Sequence, residues 1–380
     1  MAILALAAGL PCTAGAESWT LMALVCADGD LSTIGPQYAQ RLVMAAGDVE
    51  WSLALQLDNG DELPTRRLLR RGSEIRVEPP RTIGSEDMAS ARTLGDFFAW
   101  AAENAPADRY AVVVFGHGVS ASGRGWDGSL VAPWPAVAID AGAGGRPLRP
   151  RDLAAAIVEG TGRRADLVVL DSCYGASLEV AWDLRDATDL VIGSSGRLPS
   201  RGLPWEAMLQ AEANSISPAR IASGLIGAAD EALALVRTDG LEELRDEIAV
   251  LTSVIGTEIA EAAPVITQAR SHCATWGSEG EMIDVRSFCQ ELALRGPAAP
   301  REAARRAVEA IDRCVFMDGG PETAAVTLPF PAGLAQLPAV ASDGFTETSG
   351  WGGMTRVYRD RLQTLMRRTF DAGRHDETAT

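Results

Sequence analysis

Two short apolar runs in this chain end on reactive side chains, and they constrain the fold more than any other feature. Tyr110–Phe115 leads into Gly116-His117-Gly118, and Leu167–Leu170 leads into Asp171-Ser172-Cys173. Runs this short and this uniformly apolar suit parallel strands buried on both faces. Parallel neighbours need a crossover, and the chain between His117 and Cys173 is long enough to supply one. In open α/β sheets, ligands gather at the carboxyl ends of the strands. A histidine and a cysteine delivered to that edge are what a thiol nucleophile with a general base requires.

The rest of the chain agrees with such a sheet. Trp19–Cys26, Trp51–Leu57 and Leu190–Ser194 read as further strands, and Arg66–Glu78 as a hairpin or edge segment. Helical spacing marks Tyr38–Ala46, Asp87–Asn104, Asp152–Glu159 and Leu178–Arg185. Ser120–Pro150, rich in Gly, Pro and Ala, reads as one long loop of roughly 30 residues, a length that is usually functional or disordered. Glu206–Arg313 is mostly helical in pattern, Ala324–Pro331 reads as a late strand, and Tyr358–Thr369 as an amphipathic helix. The expectation is an α/β fold with a mainly parallel central sheet flanked by helices. A core over 17–205 carries the site. A helical C-terminal extension over 206–371 returns the strand 324–331 to that core, and 372–380 is a disordered polar tail.

Residues 1–16 are small and apolar and end in Ala14-Gly15-Ala16, as at a secretory cleavage site, but lack a positive leading segment. They read as a signal peptide of a secreted or periplasmic protein, or as an N-terminal arm of a cytoplasmic one. No other stretch approaches 18 apolar residues, so no transmembrane helix is expected.

With 51 acidic residues against 34 basic ones, the net charge of −17 disfavours nucleic acid and anionic membranes as partners. Every basic residue is arginine, which rules out lysine Schiff-base chemistry. The six cysteines form no C-x-x-C pair, so no zinc site is expected. Cys26 reads as a core residue, and two of Cys273, Cys289 and Cys314 could pair in an exported protein. Serine-hydrolase, zincin, Walker A and dinucleotide-binding motifs are absent. No cofactor or metal is expected, except that the acidic turns Asp28/Asp30 and Asp58/Asp61 could hold Ca²⁺. Of the other histidines, His375 lies in the tail, and His272 adjoins Cys273, where chain neighbours rarely face each other. Backbone N–H groups of Gly118 and Cys173 are placed to form an oxyanion hole.

These segments together resemble the caspase–hemoglobinase superfamily of cysteine peptidases (clan CD), and within it the clostripain family. The likeness runs through Trp19–Asp30, Gly116-His117-Gly118, Asp171-Ser172-Cys173, Ser194–Trp205, Glu281–Val285 and Val326–Pro331 in order. It implies an endopeptidase acting on proteins or peptides, with Cys173 as nucleophile and His117 as general base. It also implies self-cleavage between them, with Arg124, Arg146, Arg149 and Arg151 as candidate sites. Asp171 matches an S1 acid of members that cut after Arg or Lys, and Ser194, Ser195, Arg197, Arg201 and Trp205 are expected around the same pocket. The chain departs from the family at Arg197 and Arg201, where basic-specific members carry another acid. Two guanidiniums there would repel a P1 arginine and favour an acidic one, or would point to solvent. The rival readings are a catalytically silent interaction module of the same fold and a thiol amidase acting on small molecules. A monomer is the default expectation.

Overall fold

The computed structural model describes residues 17–60, 64–77, 86–125, 127–211, 218–228, 233–317, 325–330 and 344–377. The first half contains β1 (Trp19–Cys26), α1 (Gly35–Asp48), β2 (Ser52–Asp58), β3 (Arg66–Arg71), β4 (Glu74–Val77), α2 (Ala91–Asn104) and β5 (Arg109–Phe115). Then come β6 (Ala138–Asp140), β7 (Arg146–Leu148), α3 (Pro150–Thr161), β8 (Ala165–Asp171), α4 (Leu178–Leu184) and β9 (Thr188–Ser194). The second half contains α5 (Trp205–Ala211), α6 (Pro218–Ala228), β10 (Leu233–Arg237), α7 (Leu241–Thr257), α8 (Ile259–His272), β11 (Thr275–Trp276) and β12 (Met282–Asp284). It ends with α9 (Val285–Arg295), α10 (Ala298–Cys314), β13 (Val315–Met317), β14 (Thr327–Pro329), α11 (Phe345–Thr348) and α12 (Trp351–Glu377).

Nine strands form the central sheet in the order β13-β10-β9-β8-β5-β1-β2-β3-β4. The middle five, β9 to β2, run parallel. Alternate residues of these strands enter two separate cores. Met22, Leu24, Val112, Val114, Val168 and Leu170 pack on one face, with Leu94, Phe97 and Phe98 of α2. Leu21, Val25, Val113, Phe115, Leu167 and Val169 pack on the other, with Tyr38 and Leu42 of α1. Both faces being covered is why these strands read as continuous apolar runs. Each fully buried Val, Leu or Phe contributes about 1.5–3 kcal/mol.

The second half is mainly helical, as its pattern indicates, but it also carries strands that the pattern does not show. Within Glu206–Arg313, β10 pairs antiparallel with β9, and β13, just beyond that range, pairs with β10. Leu233-Ala-Leu-Val is equally compatible with a helix, and pairing with the open edge of β9 decides for the strand. The central sheet therefore extends past residue 205 into the C-terminal half. The late strand shrinks to Thr327–Pro329 and joins a separate three-stranded sheet, β11-β12-β14, instead of the central one. It still touches the core through a bridge from Thr327 to Ser177. The remaining expected strand positions, Ala324 and Pro331, lie outside the described residues. The Ser120–Pro150 loop contains the β6–β7 hairpin, with Val137, Ala138 and Leu148 buried. The last helix starts at Trp351 and runs to Glu377, so much of the expected tail is helical. Gly352 and Gly353 obscure its start in the sequence, but Trp351 anchors it by edge-on ring contacts with Phe288 and Phe330. Residues 1–16, with the expected signal segment and Cys12, lie outside the described residues, as does Asp61.

Glu179 couples α4 to the C-terminal extension. It is buried, accepts a hydrogen bond from Thr346 N at 2.8 Å, and burial pushes its carboxyl up to about 7. The folded chain thus binds this proton more tightly than the unfolded chain, whose glutamates titrate near ~4.3. The contribution is fully present below that value and is lost as pH rises to about 7. The Glu179→Gln variant is expected to melt higher than the wild type at pH 8, with the gap closing below pH ~5. Thermal denaturation at both pH values checks this, and a lower melting temperature at pH 8 would contradict it.

Candidate active site

Strand register brings the two reactive residues together. In the β5–β8 pair, Phe115 lies opposite Asp171. His117 and Cys173 each follow two residues beyond that rung, so both emerge at the same carboxyl edge. They line one pocket of about 210 Å³ with Asp30, Phe115, Asp171 and Arg197, while Leu31, Leu198 and Pro199 add apolar wall. The two segments touch main chain to main chain. A Cβ placed on Gly118 would lie 1.9 Å from the Cys173 carbonyl oxygen, so only glycine fits there. Gly118 is thus packed directly against the Cys173 main chain beside the pocket.

The pocket opens at the topological switch point. β2 lies on one side of β1 and β5 on the other, which leaves a crevice at their carboxyl ends. The turn after β1 contributes Asp30, whose Oδ1 lies 2.7 Å from His117 Nε2. In the sequence, Asp30 reads only as part of a cation-binding turn. Its order Asp28-Gly29-Asp30 gives no hint of this pairing, because β5 brings His117 to it from far along the chain.

Cys173 is 8% exposed. Burial pushes its thiol up, while the Leu198 N–H at 3.4 Å from Sγ and the Arg197 guanidinium pull it down. Tyr174 adopts φ +62°, a left-handed conformation rare for a bulky side chain. Its amide donates to the Gly196 carbonyl at 2.8 Å, tying the turn after Cys173 to the loop that follows β9.

Asp171 is only 2% exposed, and its carboxylate is occupied from within the protein. Oδ2 accepts from the Tyr38 hydroxyl at 2.7 Å, the Trp205 indole N–H at 3.0 Å and Leu203 N at 2.9 Å, and Leu203 N also reaches Oδ1 at 3.1 Å. Gly202, at φ +72°, leaves no room for a Cβ between Tyr38 and Asp171. Trp205 is therefore a buried support of Asp171 and does not line the pocket. Arg201 also stays out of the lining, and its carbonyl accepts from Arg41. Ser194 and Ser195 are buried too. Ser194 Oγ accepts from Gly196 N, and Ser195 Oγ exchanges hydrogen bonds with the Ala325 main chain. Of the residues expected in the S1 pocket, Asp171 and Arg197 line it.

The four arginines of the long segment are placed differently. Arg124 sits at a turn and donates to Gly128 O at 2.7 Å. Arg146 lies on β7, paired with Asp87. Arg149 stacks 3.7 Å over Trp134 at the start of α3, and Arg151 lies inside that helix, paired with Asp183. Arg146 and Arg149 each precede a proline, and helical or prolyl backbone resists the extended pose that a peptidase cleft demands.

Three buried carboxylates, Asp28, Asp58 and Asp140, bring their oxygens within 4.8 Å of one another beside the site. Asp140 belongs to the long segment and had not been expected there, and its carboxyl is pushed up by burial and by Asp28. This set could hold a hard cation such as Ca²⁺. Cys26, Cys273, Cys289 and Cys314 are buried free thiols, so the C-terminal three form no disulfide. His272 pairs with Glu291 at 3.3 Å.

A sequence model of the clostripain family matches residues 45–262. No curated protein matches the chain. Solved structures share its fold, two of them as follows. A secreted cysteine protease from Bacteroides thetaiotaomicron, solved with an irreversible peptide inhibitor, aligns over 88% of this chain and 99% of its own, at 17% identity and TM-score 0.67. An inactive zymogen protease from Parabacteroides distasonis aligns over 82% and 89%, at 16% identity and TM-score 0.60.

The Gly118→Ala variant is expected to lose activity about 100-fold, because the added methyl displaces the Cys173 main chain by an ångström or more. Peptidase kinetics on the purified variant checks this, and near-wild-type kcat/KM would contradict the contact.

Proposed function

Given that this chain belongs to the clostripain family and is a cysteine-type endopeptidase, we propose that Cys173 is its nucleophile and His117 its general base. The observation that carries this reading is the β5–β8 register, which sets His117 and Cys173 in one pocket two residues past a shared rung. Burial keeps the resting thiol protonated. On substrate binding, His117 takes that proton and the thiolate sulfur attacks the scissile carbonyl carbon. The carbonyl electron pair moves to oxygen, where the N–H groups of Gly118 and Cys173 receive it. Collapse breaks the C–N bond, and His117 hands the proton to the departing amine. Water, activated by the same imidazole, then hydrolyses the thioester.

Asp30, with Oδ1 2.7 Å from Nε2 of His117, orients the imidazole for this proton traffic. We assign it a positioning role. The Cys–His chemistry itself needs no metal, so Ca²⁺ at Asp28, Asp58 and Asp140 would serve as a structural ion. Self-cleavage in the long segment is best supported at Arg124 and Asp127, which lie outside helix and do not precede a proline. Among the described residues no helix is long and apolar enough to cross a membrane. Export is supported by the small, apolar residues 1–16 and by the secreted relative of the same fold.

Cys173→Ala and His117→Ala are each expected to lower peptide hydrolysis at least roughly 1,000-fold, because nucleophile and base act as a unit. Undiminished turnover by either variant in a fluorogenic peptide assay would refute the assignment. Asp30→Asn is expected to lower kcat roughly tenfold with KM and melting temperature unchanged, since an exposed carboxylate contributes less than a buried one. A matched fall in stability would make its role structural.

A further inference from the structure

The polarity of the pocket beside Cys173 is set by which of its charges are already paired. Asp171 is not available to a cationic substrate. Its Oδ2 carries three hydrogen bonds, and Arg41 lends it positive charge from the side of α1. A guanidinium entering the pocket needs two accessible carboxylate oxygens for its fork, and this carboxylate offers at most one. The other carboxylate of the lining, Asp30, is engaged by His117.

Arg197 has the opposite character. It lines the pocket and is exposed to solvent. Among the described residues no carboxylate lies within ion-pair distance of it, although other arginines of this acidic chain, such as Arg109, Arg286 and Arg306, are salt-bridged. A guanidinium without a carboxylate at the mouth of a half-apolar pocket is a receptor for a negatively charged group.

We infer that this peptidase accepts an acidic side chain, aspartate or glutamate, at P1, with Arg197 as the residue that determines it. The inference rests on the Cys173–His117 peptidase proposed above. The protein carries a nearby internal analogue. Asp127 lies on the exposed turn of the long segment, close enough for its charge to act on Arg197. That turn offers Asp127-Gly128 and Arg124-Gly125 side by side, so the position of a self-cut reports the polarity of the pocket.

The test is a set of fluorogenic peptides identical except for Asp, Glu, Arg or Leu at P1, hydrolysed by the full-length wild type, Arg197→Gln and Arg197→Lys. The wild type is expected to favour Asp or Glu over both Arg and Leu by at least roughly tenfold in kcat/KM, the effect of one charge-assisted hydrogen bond. Arg197→Gln is expected to lower the Asp-to-Leu ratio by a similar factor through KM, and Arg197→Lys to retain part of it. Preference for Arg or Leu, or a ratio unmoved in Arg197→Gln, would overturn the inference. So would a self-cut mapped by mass spectrometry after Arg124 instead of Asp127. Failure to cleave any of the four peptides would instead overturn the peptidase reading beneath it.

Discussion

The site is built around one buried carboxylate. Asp171 closes β8, yet its oxygens collect donors from α1 and from the loop after β9. An ionised carboxylate in a dry interior costs several kcal/mol unless it is well paired. Hydrogen bonds to a charged group contribute about 1.5–3 kcal/mol each, so these donors are held firmly. The consequence is geometric. Pinning Leu203 and Trp205 fixes the far end of the 195–205 loop, and the Tyr174–Gly196 hydrogen bond fixes its near end. Between the two anchors, the Leu198 amide comes within 3.4 Å of the Cys173 sulfur and Arg197 reaches the pocket.

Three neighbouring parallel strands supply the proposed catalytic and positioning groups. β1 brings Asp30, β5 brings His117 and β8 brings Cys173, with no contribution needed from the periphery of the sheet. The C-terminal half supports the site from behind. Ala325 bonds Ser195, and Thr327 N donates to Ala176 O at 3.0 Å, so the loops flanking Cys173 are held by a segment some 150 residues away along the chain.

Much of this was legible in the sequence. The runs Tyr110–Phe115 and Leu167–Leu170 announced buried parallel strands, and the residues following them proved to share a pocket. The hairpin at Arg66–Val77 and the helix over Ala91–Asn104 also followed from pattern. Other features did not. β10 is locally indistinguishable from helix, and only an unpaired neighbour strand makes it extended. Trp205 and Ser195 carry the right chemistry near the right place, but their side chains turn into the interior to satisfy Asp171 and Ala325.

The sequence by itself determined which residues could do chemistry and which strands would deliver them, because burial on both faces leaves a signature in adjacent positions. The tertiary structure decided which charges remain available. Asp28, Asp58 and Asp140 meet only because three distant segments converge. Asp30 pairs with His117, Asp171 is consumed by Tyr38, Leu203 and Trp205, and Arg197 keeps its charge at the mouth of the pocket. Pairing is a property of distance in space, and a chain of residues does not encode that distance locally.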